Sequence, residues 1–302
     1  MNEIKLTRDQ LTCMIDKTVA PVAEVELPAK VTMETINVFR DALQKETDTL
    51  DALDYDTINP ATGPIRFTNA KAGDVLVIKV NKIKCISPAA AIVCPNEGVM
   101  GDLIEKGITR IYHWDEEDNV EIKGGFKLKA VPMIGVIGVA PAGDGIRTIS
   151  PGDHGGNLDT TLIREGATVY LPVQVDGAIF SAGDLHEAQG DGESWYTGLE
   201  ASGEIELEIS IRRDMIIDIP FVQVDGKFAS LASHATTDGA LKKAMDRLIK
   251  FIVDNGKLDF YEAGFVTGLF ADLGICQVVD PEKTCRMTIS LDNLQPLLNI
   301  KL

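Results

Sequence analysis

Residues 203–213, GEIELEISIRR, place Ile205, Leu207, Ile209 and Ile211 on one side of an extended chain and Glu204, Glu206 and Glu208 on the other. Side chains alternate across a strand with a period of two, so this run buries one face and leaves the other wet, as antiparallel sheets do. Residues 73–84 (GDVLVIKVNKIK) open on a turn and continue in β-branched residues. Residues 167–180 (ATVYLPVQVDGAIF) read as two strands joined by an Asp176-Gly177 hairpin turn.

Two segments depart from the strand pattern. Residues 236–255 carry Leu241, Met245, Leu248, Ile249 and Ile252 at helical spacing, with Thr237 or Asp238 available as N-cap and Gly256 just past the end. Residues 258–273 predict a second helix in spite of Gly264 and Gly268. Shorter helical pieces are expected near 35–43 and 96–106. The expected fold is mainly β: packed antiparallel sheets, β-sandwich or barrel-like, with a smaller α+β portion and C-terminal helices. The Gly/Pro/Asp-rich stretch 141–153 is the best place for a boundary. It would divide an N-terminal β-rich portion, 1–145, from a motif-bearing portion, 146–302, unless the chain is one compact unit.

Charge narrows the partners. Asp and Glu total 46 against 29 Lys and Arg, a formal net charge of −17. Such a field repels phosphate, which argues against nucleic acid and anionic membrane surfaces and favours cations or neutral substrates. The most apolar run, 131–141 (VPMIGVIGVAP), is too short to span a bilayer and carries Gly and Pro. The first residues, MNEIKLTRDQ, lack a secretory apolar core. Cys13, Cys85, Cys94, Cys276 and Cys285 are odd in number, widely spaced and without a CxxC. They read as buried thiols of a protein in the reducing cytoplasm. No Gly-rich phosphate loop, GxSxG elbow or HExxH is present, so nucleotide, serine-hydrolase and common metalloprotease chemistries lack support.

The polar residues that suggest chemistry crowd into 151–193, in PGDHGGNLD (151–159) and SAGDLHEAQGDGE (181–193). Asn157 and Asp159 lie two apart, as do Asp184 and His186, and Asp191 and Glu193. In extended backbone each pair points to one face. Carboxylate, imidazole and amide together suit a divalent metal: His186 favours zinc-like ions, and the carboxylates also tolerate calcium. The plainer explanation is turn chemistry, since Gly-Asp and Asp-Gly pairs are common turn formers, and Asp191 between two glycines fits that better than a ligand role. His113, beside Trp114 and an acidic run, reads as a surface or packing residue, and His234 as part of the loop before the helix cap.

PGDHGGNLDT, YLPVQVDGAIFSAGDLHEAQGDGE and the preceding PMIGVIGVAP resemble the acetamidase/formamidase family, as do NPATGPI (59–65), GDVLVIKV (73–80) and ICQVVDP (275–281). The matches run in family order from residue 55 or so to the end of the chain. Residues 33–37, METIN, resemble the shorter bacterial members. The resemblance implies hydrolysis of short linear amides such as formamide and acetamide to carboxylate and ammonia. It also implies a β-rich fold of packed antiparallel sheets and a homodimer. On this footing Asp159, Asp184 and His186 hold a divalent metal, zinc first and calcium as the alternative. Glu193 moves protons, with His154 as a second catalytic candidate, and Asn157 and Gln189 bind a small neutral amide. Two other readings stay open: a C–N hydrolase for a larger or cyclic amide, and a non-catalytic β protein that binds a metal or small ligand.

Overall fold

The computed structural model describes the backbone of residues 1–302 and every side chain other than that of Ala52. The alternating run forms the Gly203–Arg212 strand, with Ile205, Leu207 and Ile209 buried and Glu204, Glu206 and Glu208 partly exposed. It pairs on one side with Ala29–Thr35 and on the other with Val75–Cys85. Together they anchor a nine-stranded sheet that continues through Thr168–Pro172, Phe221–Val224, Lys227–His234 and Lys283–Ser290 to an edge strand, Ala271–Gln277. Every pairing is antiparallel except that of Asn2–Leu6 with Ala29–Thr35 at the far edge.

A second, twelve-stranded sheet is built around Phe180–His186. That strand pairs with Met133–Val139, Ala61–Phe67 and Glu200–Ala201. The two sheets meet face to face. Val31, Met33, Ile78, Ile205 and Leu207 of the first share one apolar core with Ile65, Ile134, Ile137, Val139 and Phe180 of the second. Interdigitation of two inner faces is the packing a sandwich requires.

The opposite face of the nine-stranded sheet is covered by helix α1 (Thr237–Asn255), whose Ala244, Leu248, Phe251 and Ile252 pack on Val77, Tyr170, Phe221 and Phe228. Phe251 lies 5.0 Å from Phe221 and 4.9 Å from Phe228, ring centre to ring centre, within the range of favourable aromatic contact. Helix α2 (Phe260–Phe270) and the short α3 (Leu291–Leu294) complete the C-terminal part.

Several local expectations need correction. Only the first of the two strands expected in 167–180 forms there, as Thr168–Pro172 in the first sheet; Ala178 and Ile179 are not strand, and the next strand, Phe180–His186, belongs to the second sheet, so no hairpin pairs. Gly177, Ala178 and Ile179 all hold positive φ, turning the chain out of one sheet and into the other. Meanwhile the Asp176 carboxylate accepts from the Ala72 amide at 3.1 Å. The turn chemistry is local, whereas pairing follows from which apolar faces meet. The N-cap of α1 is Thr236, whose side chain accepts from the Gly239 amide, one residue before the expected cap. Helix α2 stops at Phe270 because the following residues pair as an edge strand with Lys283–Ser290. Residues 36–43 hold a turn at 38–41 and no helix, only 101–103 of the expected 96–106 helix are helical, as a single 3₁₀ turn, and His234 ends a strand. Both sheets draw strands from either side of residue 145, so a cut there would divide both.

Candidate metal and catalytic site

Asp184 and His186 come from the central strand of the second sheet. Along it Phe180 and Ala182 point into the sandwich core, and so does Leu185, so the alternation slips by one residue. The slip falls at Asp184, where φ is +58°. It turns Asp184 and His186 away from the core and into a cavity of about 440 Å³. Glu200, on the neighbouring strand, stands directly across from His186 in the register. Asp159 and Glu193 arrive from loops at φ +40° and +46°.

Five side chains converge. His186 Nε2 lies 3.1 Å from Glu200 Oε2, 3.6 Å from Asp184 Oδ1 and 3.8 Å from Asp159 Oδ1. Ligand atoms of Asp159, His186 and Glu193 form one mutually close trio, and those of Asp184, His186 and Glu200 another. The other ring nitrogen, His186 Nδ1, lies 2.7 Å from Gln189 Oε1. Gln189 Nε2 donates to the carbonyl oxygens of Asp159, at 2.8 Å, and Cys276, at 3.4 Å, which fixes its amide orientation. Its oxygen must therefore accept from Nδ1–H, which leaves Nε2 facing the carboxylates. Orientation of a histidine by a partner on its far nitrogen is how metal-ligating imidazoles are held.

A second layer of polar contacts surrounds these groups. Asn59 Nδ2 lies 3.2 Å from both Asp184 Oδ2 and Asn157 Oδ1, donating to each. Asn157 Nδ2 donates to Asp280 Oδ2 at 2.9 Å. Asp280 is carried by a turn built on Gln277, whose Oε1 accepts from the amides of Val279 and Asp280. Glu193 Oε1 accepts from the Gly198 amide at 2.9 Å. Val38, Phe39, Leu50, Leu53 and Ile58 give the cavity an apolar part, beside the charged Glu97 and Lys283.

Burial among like charges raises the carboxyl pKa values. Asp159 is pushed well above the usual carboxylate range by burial, then by Asp280 and Asp184. Glu193 is raised by burial and then by Asp159, and Asp280 by burial and then by Glu193. Glu200 rises to about 7, burial outweighing the opposing pull of His186. Burial alone would lower the His186 pKa, but Glu200 and Asp184 carry it well above its ordinary value. So many acids in one dry space cannot all ionise without a cation among them.

These residues fit a divalent metal. Asp159 Oδ1, Asp184 Oδ1, Glu193 Oε2 and Glu200 Oε2 are all buried without a hydrogen-bond partner. Buried polar atoms are ordinarily paired, and the orphaned oxygens of Asp159, Asp184 and Glu200 beside one imidazole nitrogen are what a cation would satisfy.

The structure brings Asp159, Asp184, His186, Glu193 and Asn157 together around one cavity. Gln189 lies behind His186, outside that cavity's lining. His154 is buried elsewhere: its ring lies against Gly152 and Gly156, and neither ring nitrogen has a partner. Asp191 serves the turn, held by Arg286 and by Thr161 Oγ1 at 2.7 Å. Sequence reasoning did not single out Asn59, Glu200 or Asp280. Asn59 and Asp280 do lie in NPATGPI and ICQVVDP, whereas Glu200 has no local signal and is found only by its register with His186.

The sequence profile of the Acetamidase/Formamidase family matches residues 9–144 and 140–230. Among solved structures, an acetamidase from Bacillus halodurans is 35% identical, with a TM-score of 0.94 over 97% of this chain and 99% of that one. A predicted acetamidase/formamidase from Thermoanaerobacter tengcongensis is 34% identical, with a TM-score of 0.95 over 98% of each chain. A formamidase of Methylophilus methylotrophus is 42% identical over 74 residues, which is 24% of this chain but 18% of the formamidase's length. Whole-length agreement of fold and sequence joins the profile match: the chain belongs to the Acetamidase/Formamidase family.

Proposed function

We propose that this protein hydrolyses short linear amides, such as formamide and acetamide, to carboxylate and ammonia. The observation that carries the reading is the set of three orphaned carboxylate oxygens, of Asp159, Asp184 and Glu200, within 3.8 Å of His186 Nε2 in a cavity partly lined by apolar side chains. We assign Asp159, Asp184 and His186 to a divalent cation, zinc first because an imidazole joins the carboxylates and calcium as the alternative. When bound, such an ion polarises an amide carbonyl and acidifies water.

The chain's own residues supply the rest. Water adds to the carbonyl carbon, the C–N bond breaks, and the departing nitrogen must gain a proton. Glu193 Oε2 faces the cluster unpaired while Oε1 is pinned by the Gly198 amide, so one oxygen is fixed and the other is free to exchange protons. Asn157 spends one N–H on Asp280 and keeps a second, suited to the substrate oxygen as negative charge develops there. Gln189 holds His186 in its tautomer. The apolar part of the lining takes the acyl chain and a net charge of −17 admits a neutral substrate without an electrostatic penalty.

A cavity of about 440 Å³ is larger than acetamide needs, which favours as second reading a larger or cyclic amide cleaved by the same residues. Five unpaired cysteines support a cytoplasmic setting. The exposed apolar side chains of α2 support a homodimer. The test is ammonia release from formamide, acetamide and propionamide, and ring opening of small lactams and cyclic imides, with zinc-loaded and chelator-stripped protein. Turnover of a linear amide that chelation abolishes is expected. Turnover of cyclic substrates alone favours the second reading, and no turnover of any refutes both.

A further inference from the structure

Gly135 sits in the Met133–Val139 strand opposite Asp184, between the Ile134–Leu185 and Val136–Gly183 pairs. A methyl group on its Cα would stand 2.4 Å from Asp159 Oδ1 and 2.6 Å from Asp184 Oδ2. Gly198 flanks the imidazole: a methyl there would stand 2.4 Å from His186 Nδ1 and 2.6 Å from its Cγ. Ordinary non-bonded carbon contacts lie at about 3.5–4 Å, so neither methyl fits unless the ligand moves.

Neither glycine holds a left-handed φ, so alanine could adopt both backbones. Glycine inside a strand weakens it and often marks a place where something approaches closely. What excludes a side chain at these two positions is the room taken by Asp159, Asp184 and His186. We propose that Gly135 and Gly198 are positioning residues, two bare Cα atoms against which the ligand set is seated at cation-binding spacing. This rests on the reading of the cluster as a cation site. Gly198 has a second task, since its amide also holds Glu193 Oε1.

Gly138, on the same strand, separates this role from plain packing. A methyl there would stand 2.7 Å from the Gly156 nitrogen and 3.0 Å from Ile15 Cδ1, touching no atom of the cluster. The experiment titrates Zn²⁺ by calorimetry into metal-free wild type, Gly135→Ala, Gly198→Ala and Gly138→Ala, and records thermal unfolding of each. Gly135→Ala and Gly198→Ala should raise the Zn²⁺ Kd by roughly 10–100-fold, the usual cost of disturbing what orients metal ligands. Gly138→Ala should lower the unfolding temperature yet keep wild-type affinity. Wild-type affinity in the first two, or an equal loss in Gly138→Ala, overturns the proposal. Gly135→Ala is also made on the Asp159→Ala/Asp184→Ala background, where the colliding carboxylates are gone. There it should fold and cost less stability than in the wild-type background, even where Gly135→Ala alone does not fold, since only the Asp184 main-chain oxygen at 3.0 Å still crowds the methyl. An equal penalty in both backgrounds overturns the seating. If wild type takes up no Zn²⁺ the cation reading fails, and this comparison of backgrounds then decides the seating alone.

Discussion

Asn59, Asp159, Asp184, Glu193 and Tyr196 all hold φ between 40° and 105°, and all line the cavity. Non-glycine residues in such regions cost of order 1–3 kcal/mol each, least for Asn and Asp, and persist where their surroundings over-determine them. Here the determinants are visible: Asp184 is held by Asn59, Glu193 by the Gly198 amide, and Asp159 by the contact of its carbonyl with Gln189. His154 shows the opposite case, a buried residue outside the cavity. Burial lowers its pKa to about 4 from an ordinary 6.5. The folded protein thus refuses a proton that the unfolded chain accepts. The neutral form's contribution is fully present above pH 6.5 and is lost as the pH falls toward 4. The size is about 3 kcal/mol, from 1.36 kcal/mol per pKa unit. Replacing His154 by Gln should flatten the fall in urea-unfolding stability between those two pH values. An unchanged slope would show that the imidazole does not titrate in this way.

At the scale of elements, α1 and α2 differ in how much their sequences disclose. The apolar positions of α1 recur at helical spacing, and Leu248, Ile249 and Ile252 are buried as that spacing requires. In α2 apolar residues occur all round, so its buried side is unreadable from the chain. Ala263 and Thr267 face inward, while Tyr261 is 76% and Leu269 72% exposed. Phe260, Phe265 and Phe270 join them, and Leu273 extends the patch onto the edge strand. Such a patch exceeds what single exposed residues explain, and several side chains of this size reach the order of 800 Å² per partner found in stable interfaces. Wild type is expected to sediment at twice its chain mass of 32.7 kDa, and a Phe265→Glu/Leu269→Glu variant at the single mass. A monomeric wild type would count against self-association through this face. The expected hairpin in 167–180 shows the same limit: the turn and the first strand were readable, but Thr168–Pro172 and Phe180–His186 pair with segments far away in sequence, at Val75–Cys85 and Met133–Val139.

For the whole molecule, the β class was readable because alternation along one strand already demands a sheet with something against its buried face. The window 151–193 likewise holds Asp159, Asp184, His186 and Glu193, so much of the candidate site was legible as one dense stretch. Asn59, Glu200 and Asp280 were not, because two sheets and a turn on Gln277 bring them in from separate segments. Gly135 was invisible for a further reason: its contribution is the absence of a side chain, which acquires meaning only when Asp159 and Asp184 stand against it. We propose that this convergence cleaves amides with Glu193 as proton carrier. It is tested most directly by the rate of ammonia release from acetamide by zinc-loaded wild type and Glu193→Gln, compared at equal metal content and equal unfolding temperature. Gln keeps the volume but cannot exchange protons near neutral pH. The expected result is a loss of ~10²-fold or more in kcat, about 2.7 kcal/mol of barrier. A Glu193→Gln protein that releases ammonia at the wild-type rate would contradict it.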